Sequence, residues 1–303
     1  MEMVEDVNLI ETEKAHAPLK ELNLQPIERR SGLTKREFQE EYFKKNKPVI
    51  FTDFTKDWPA YEKWTFDYFR NNHGNIMVPV FDNDFRKAGE GYLSAKKEMK
   101  FGDYLTLIEN EPTELRMFLF NIFKHVPELM NDIKEPKVHD GFLMKYPMMF
   151  FGGHGSKVDL HYDLDCATVF LSQFLTRKKV VLFPNEEGPK LYHHPFTVQS
   201  HVELDRVDFE KHPAFKKAKG FEGVIGHGET LFMPSLWWHY IYYQDGGFSI
   251  SLRSHTARSQ ARGLWNISRH FVVDQGMNKI LGKRWNNIKD NIAAKNAKAA
   301  ANL

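Results

Sequence analysis

Cysteine is almost missing from this chain. Cys166 is the only one among 303 residues, so no intramolecular disulfide can form, which fits a reducing compartment such as the cytoplasm. An excess of one charge is missing too. Lys and Arg number 42 against 40 Asp and Glu, so no global field draws the molecule to nucleic acid or to a membrane, although a local patch is still open. No run reaches the ~18 consecutive apolar residues of a membrane span. The start, Met1-Glu2-Met3-Val4-Glu5-Asp6, has neither the basic nor the apolar region of a leader, and no repeat of roughly 20 to 50 residues is visible. These absences leave the expectation of a soluble, cytoplasmic protein with neither nucleic acid nor membrane indicated as a partner.

What is present divides into three parts. Residues 1–24 are charged and weakly periodic and are expected to be mobile, with order starting at Ile27, just after Gln25-Pro26. Residues 25–255 are expected to be the main folded domain. Thr34-Lys35-Arg36-Glu37 has the form of a capping box and predicts a helix over 35–45; further short helices are expected over 65–71 and 101–108. Strands are expected over 48–51, 76–80 and 115–120, the second confined to a sheet edge by Pro79, with a polar loop over 82–98. From residue 142 on, short β-runs follow one another: 142–145, 148–151, 158–163, 169–175, 180–183, 230–233, 238–242 and 248–253. Strands so closely spaced suggest a sandwich or barrel. Residues 256–303 read as helix, frayed from Ala293 onward, with one apolar stripe Leu281, Trp285, Ile288 and Ile292.

The chemistry concentrates in His161-Tyr162-Asp163 and, 78 positions after His161, His239 within Trp237-Trp238-His239. In a strand, residues i and i+2 share a side, so His161 and Asp163 can face one metal while Tyr162 turns away. Two imidazoles and one carboxylate bind one face of a non-haem Fe(II) and leave three positions open. Two histidine-bearing strands meeting at one metal suggest a double-stranded β-helix. A zinc hydrolase fits less well, because its usual ligand sets differ in type and spacing, and a structural zinc would need a fourth ligand that is not indicated. His193-His194 is read as structural, since neighbours on an extended segment face opposite ways.

The flanking words carry a resemblance. Phe150-Phe151-Gly152-Gly153 before the H-x-D, Arg177-Lys178-Lys179 through Phe183-Pro184 after it, then Gly226-His227-Gly228-Glu229-Thr230-Leu231-Phe232-Met233-Pro234 and Trp237-Trp238-His239 run in the order of the JmjC/cupin-8 family of Fe(II) and 2-oxoglutarate oxygenases. Within that family the chain resembles the factor-inhibiting-HIF type of protein hydroxylase. The resemblance implies a mainly β fold, a double-stranded β-helix of the jelly-roll/cupin kind with N-terminal α/β additions and C-terminal helices. It implies Fe(II) at His161, Asp163 and His239, with 2-oxoglutarate and O2 as co-substrates. Lys178 matches the lysine that holds the distal carboxylate of 2-oxoglutarate; Thr168 and Arg253 stand near positions where relatives carry polar site residues. The tyrosine that often completes this site falls near Arg116 or Phe118, so Arg116 becomes a candidate second cation. The implied activity is hydroxylation of a protein or peptide side chain. The alternatives are action on tRNA or a small molecule, and a non-catalytic metal-binding cupin; demethylation ranks lower because no histone-reader or zinc-finger segment is recognisable. Pairing through C-terminal helices, as in related hydroxylases, makes the stripe after Ser254 the expected homodimer contact.

Overall fold

The computed structural model describes residues 18–83, 95–118 and 120–303. The first part of the chain supplies β1 (Asn23–Pro26), β2 (Arg29–Arg30), α1 (Lys35–Phe38), which continues as a π-helical turn over Gln39–Phe43, β3 (Val49–Phe51), α2 (Pro59–Lys63), α3 (Phe66–His73), β4 (Met77–Phe81), β5 (Lys97–Lys100), α4 (Phe101–Asn110), β6 (Arg116–Met117) and α5 (Ile122–His125). Eight strands follow: β7 (Met148–Gly152), β8 (Lys157–His161), β9 (Thr168–Phe174), β10 (Lys178–Phe183), β11 (Lys219–Ile225), β12 (Thr230–Met233), β13 (Trp238–Tyr243) and β14 (Gly247–Ser254). The chain closes with α6 (Ala257–Ser268), a π-helical turn Arg269–Asp274, α7 (Gln275–Leu281) and α8 (Lys283–Ala301).

Except for the neighbours β10 and β11, consecutive strands of this second set hop between two sheets. β7, β9, β12 and β14 lie in a nine-stranded sheet ordered β2-β3-β12-β9-β14-β7-β6-β4-β5, while β8, β10, β11 and β13 lie in a five-stranded one ordered β1-β11-β10-β13-β8. This is the expected jelly-roll, double-stranded β-helix core. β9, β12 and β13 are buried along their whole length because both faces are covered. One core layer lies between the sheets, around Val169, Leu171, Val180, Leu182, Met233 and Ile241. A second packs the N-terminal helices on the large sheet through Phe38, Trp64, Phe69, Phe151 and Phe170. A third covers the small sheet with Tyr192, Phe215, Ala297 and Ala301 over Tyr162, Trp238 and Tyr240.

Local expectations hold where the signal is local. Thr34 and Glu37 close the capping box of α1, and Thr65 caps α3. Others change. Order begins before Ile27, because β1 pairs in parallel with β11. β4 is not an edge strand: β5 flanks it on one side and β6 on the other, yet Pro79 is tolerated because β6 reaches only Val80 and Phe81. The strand expected over 142–145 shrinks to a bridge between Phe142 and Ser254, and that over 115–120 to two residues. The polar loop over 82–98 lies mostly outside the described residues, and its last part enters β5. β11 escaped notice because Gly220 and Gly223 lower its β propensity; a Cβ at Gly220 would come within 2.6 Å of the Phe183 ring, so the pairing itself demands glycine.

The C-terminal stripe is the largest correction. On α8 the buried residues are Trp285, Lys289, Ala293, Ala297 and Ala301, not the expected isoleucines. Alanines at this spacing let the helix approach the third core layer closely. Trp285 stacks on Phe196 and donates to Asp274 (2.8 Å), which also holds Lys289 (2.6 Å). Ile288 and Ile292 face outward, so Trp285 is spent within the chain and its expected place in a dimer contact is withdrawn.

Candidate active site

A cavity opens between the two sheets, and the candidate ligands meet inside it. Strand alternation sends His239, Ile241 and Tyr243 inward from β13 while Trp238, Tyr240 and Tyr242 pack outward. β14 likewise turns Ser249, Ser251 and Arg253 into the cavity. β8 needs an extra device. His161 pairs with His239 and Val158 with Ile241, so three steps along β8 match two along β13. This bulge puts both Val158 and His161 on the cavity side, which regular alternation forbids. Asp163 lies beyond the end of β8, in the loop toward β9, so a turn rather than the strand period brings it to the histidines. Tyr162 turns away as expected, edge-on to Trp238 at 5.0 Å.

His161, Asp163 and His239 offer ligand atoms that all lie within 4.8 Å of one another. Both imidazole Nε2 atoms converge on Asp163 Oδ1, at 3.8 and 3.9 Å. Their other nitrogens are committed. His161 Nδ1 donates to the Asp159 carbonyl (2.8 Å) and His239 Nδ1 to the Trp237 carbonyl (3.1 Å), which fixes the tautomer with each Nε2 lone pair facing the centre. Ligands at roughly 2 Å from a metal sit about 3 Å apart on one octahedral face, so side-chain shifts of the order of 1 Å would close the set. The residues present therefore fit one metal ion with three open positions. Among the described residues no other cluster of this kind occurs.

Arg253 lines the cavity beside the candidate ligands. Its Nη2 lies 3.2 Å from Asp163 Oδ2 and its Nη1 donates to Asp165 at 2.7 Å. It therefore holds the ligand carboxylate by the oxygen turned away from the histidines. Thr168 is a clear correction. It faces away from the cavity and borders a surface depression with Arg258 and Arg262, while its neighbour Val169 lines the cavity. The residue count after Asp163 is absorbed by a turn in which Cys166 takes a left-handed φ of 54°, which shifts the face by one.

Lys178 is inside, as expected, and its neighbours Arg177 and Lys179 face outward to Asp245 and Glu222. Its ammonium lies 2.6 Å from the Ser249 hydroxyl and 4.0 Å above the centre of the Tyr243 ring. Burial pushes its pKa well below the usual lysine range. Arg116, also buried, lines the same cavity and donates to the Lys157 carbonyl. Sequence reasoning missed Tyr243. A signal was there: it stands four residues after His239, on the same side of a strand. Burial raises its pKa, and Arg116 is close enough to oppose that shift. Gly152 makes the room, since a Cβ there would meet the Tyr243 ring at 2.6 Å. Gly152→Ala is accordingly expected to displace that ring and weaken dicarboxylate binding several-fold, measured by calorimetry.

A buried lysine with a lowered pKa has a stability consequence. Between its folded and unfolded pKa values the unfolded chain binds the extra proton, so this group's contribution destabilises the fold as pH falls from about 10.5 toward the folded value. Lys178→Met is expected to raise the melting temperature of the ligand-free protein at neutral pH. A lower melting temperature would mean that the ammonium is stabilised in place.

The family model of the cupin-like domain matches residues 35–255. The chain is 28% identical over 250 residues to lysine-specific demethylase JMJ30 of Arabidopsis thaliana, covering 77% of this chain and 56% of that protein. It is 28% identical over 231 residues to lysine-specific demethylase 8 of Xenopus tropicalis, covering 71% and 49%. To tRNA wybutosine-synthesizing protein 5 of Gallus gallus it is 26% identical over 241 residues, covering 73% and 74%. The chain thus spans about half the length of the two demethylases.

Proposed function

The chain belongs to the cupin-like JmjC domain family, and from that premise we propose that it is an Fe(II)- and 2-oxoglutarate-dependent oxygenase that hydroxylates a protein or peptide side chain. The observation that carries this reading is the pairing, in one cavity, of the His161, Asp163 and His239 set with the buried Lys178. Fe(II), when bound, would supply oxidative decarboxylation of 2-oxoglutarate to succinate coupled to hydroxylation of a nearby C–H bond. The remaining work falls to this chain's residues. Leu182 pairs with His239 and Lys178 with Tyr243, so Lys178 stands four residues, roughly 13 Å along the strand, from the metal level. That span suits a dicarboxylate chelated at one end and held by an ammonium at the other. Arg116 adds the second cation where relatives carry a tyrosine, and Arg253 keeps Asp163 oriented. Val169, Leu171, Met233 and Ile241 form an apolar wall that limits water.

Incubation with Fe(II), O2 and 2-oxoglutarate should give succinate, whereas a non-catalytic metal-binding cupin would give none. Mass spectrometry of proteins and RNA from cells with and without the gene should then find side chains one oxygen heavier only when it is present. Methyl groups lost from lysine, or an oxidised tRNA base, would move the substrate toward that named in the demethylase or tRNA relatives.

The homodimer remains part of the proposal, on different residues. Leu264, Phe271, Val272 and Ile280 are more than half exposed along the C-terminal helices, and a two-fold contact needs only one self-complementary patch. A second copy is the proposed occupant. Leu264→Asp with Phe271→Asp should convert a dimer to a monomer by light scattering; a wild-type chain monomeric at micromolar concentration would exclude it.

A further inference from the structure

The near-neutral total charge conceals a division. Residues 255–303 carry nine Lys/Arg against two Asp/Glu, net +7, leaving net −5 on residues 1–254. Both acids of the C-terminal part are engaged internally: Asp274 is buried with Lys289 and Trp285, and Asp290 lies 3.1 Å from His194. No acidic residue stands between His255 and Val273. The local basic patch left open by the overall balance is therefore real, and it has a direction.

Along α6 and the π-helical turn that continues it, Ser259, Gly263 and His270 form the buried face. One position before each of the first two, and continuing along the same row, stand Arg258, Arg262, Trp265 and Arg269, at i, i+4, i+7 and i+11. Arg258 and Arg262 are exposed and have no ion-pair partner among the described residues; Trp265 is 64% exposed between the arginines. The row is about 16 Å long. It is also fixed against the candidate active site. Gly263 has its backbone against the Asp165 carbonyl, so close that no Cβ fits, and Asn266 donates to Cys166 Sγ at 3.1 Å, both in the loop that carries Asp163. Beside Arg258 and Arg262 lies the surface depression that Thr168 faces, with Asn46 and Asn185 as further polar groups.

We infer that the row Arg258, Arg262, Trp265 and Arg269, along α6 and into the π-helical turn after it, is a docking surface for single-stranded RNA beside the loop that carries the metal-ligand carboxylate. The inference does not depend on which atom the oxygenase modifies. Arginines one helical turn apart are spaced about 6 Å, close to the step between successive phosphates of an extended strand. An exposed indole between them offers a face on which any base can stack, a feature that acidic peptides do not need. Arg269 lies over the Phe196 ring, which also stacks on Trp285, so the far end of the row is anchored on the chain's own packing.

The test uses the full chain and a fluorescein-labelled oligouridine twelve-mer, read by anisotropy across a salt series. Wild type is expected to bind, with affinity falling as salt rises. Arg258→Glu with Arg262→Glu should weaken binding at least ten-fold and flatten the logarithmic salt slope by about 1.4, at about 0.7 per lost phosphate contact. Trp265→Ala should cost about ten-fold with the slope unchanged. Circular dichroism and thermal melting check folding, and if the charge reversals do not fold, Arg258→Gln with Arg262→Gln should show the same loss. Absence of binding at low salt, equal binding by the double variant, or displacement by polyglutamate as effective as by unlabelled RNA would each overturn the inference.

Discussion

Asp163→Ala is expected to abolish 2-oxoglutarate turnover and to weaken Fe(II) binding by the order of 100-fold or more while leaving the fold intact. The two parts of this expectation have separate causes. The carboxylate is the only anionic member of the set, and its loss leaves two neutral imidazoles on the metal. The fold survives because Arg253, which is half-buried, keeps Asp165 at 2.7 Å. Anaerobic Fe(II) titration and circular dichroism measure the two separately. Undiminished Fe(II) affinity would remove Asp163 from the site, and His161→Ala and His239→Ala should repeat the loss, since each ring is fixed with Nε2 inward by a backbone carbonyl.

Lys178→Ala should raise the 2-oxoglutarate requirement ten-fold or more and leave Fe(II) binding unchanged. A charge-assisted contact to a partly buried carboxylate contributes about 1.5 to 3 kcal/mol, which sets that lower bound. Proton linkage sharpens the expectation. Burial favours the neutral amine in the empty cavity, and a carboxylate arriving beside it favours the ammonium. Binding should therefore take up a proton, and affinity should fall as pH rises above the lysine's empty-site pKa. Calorimetry in buffers of different ionisation enthalpy measures the uptake, and Lys178→Met should lose it. Binding without uptake, or unchanged affinity in Lys178→Ala, would shift the role to Arg116.

What could be read from the sequence divides along physical lines. The three candidate ligands and Lys178 were legible because their information is local: a strand period, a cluster of residue types and a family word order. The register of Thr168 was not, because a left-handed turn at Cys166 inserted between Asp163 and β9 shifts which side chain faces inward, and nothing in the composition marks such a turn. His161 reaches the cavity through a bulge, and Arg253 grips the metal-ligand carboxylate across sheets; both depend on pairings between residues far apart in sequence. The C-terminal stripe misled for another reason. Periodicity weighs large side chains, whereas α8 packs through alanines and a buried Lys289 paired with Asp274, so the covered face is the one with the smaller hydrophobic residues. Tyr243 occupies a different strand from the position where relatives carry their tyrosine, although its spacing from His239 places both on one side of β13.

The most direct measurement is release of succinate from 2-oxoglutarate by the purified chain, with and without added Fe(II) and O2, beside Asp163→Ala. Succinate that requires both additions and is lost in the variant is the result expected of a single iron site built from His161, Asp163 and His239. No succinate from the metal-loaded wild type, or equal amounts from Asp163→Ala, would contradict it.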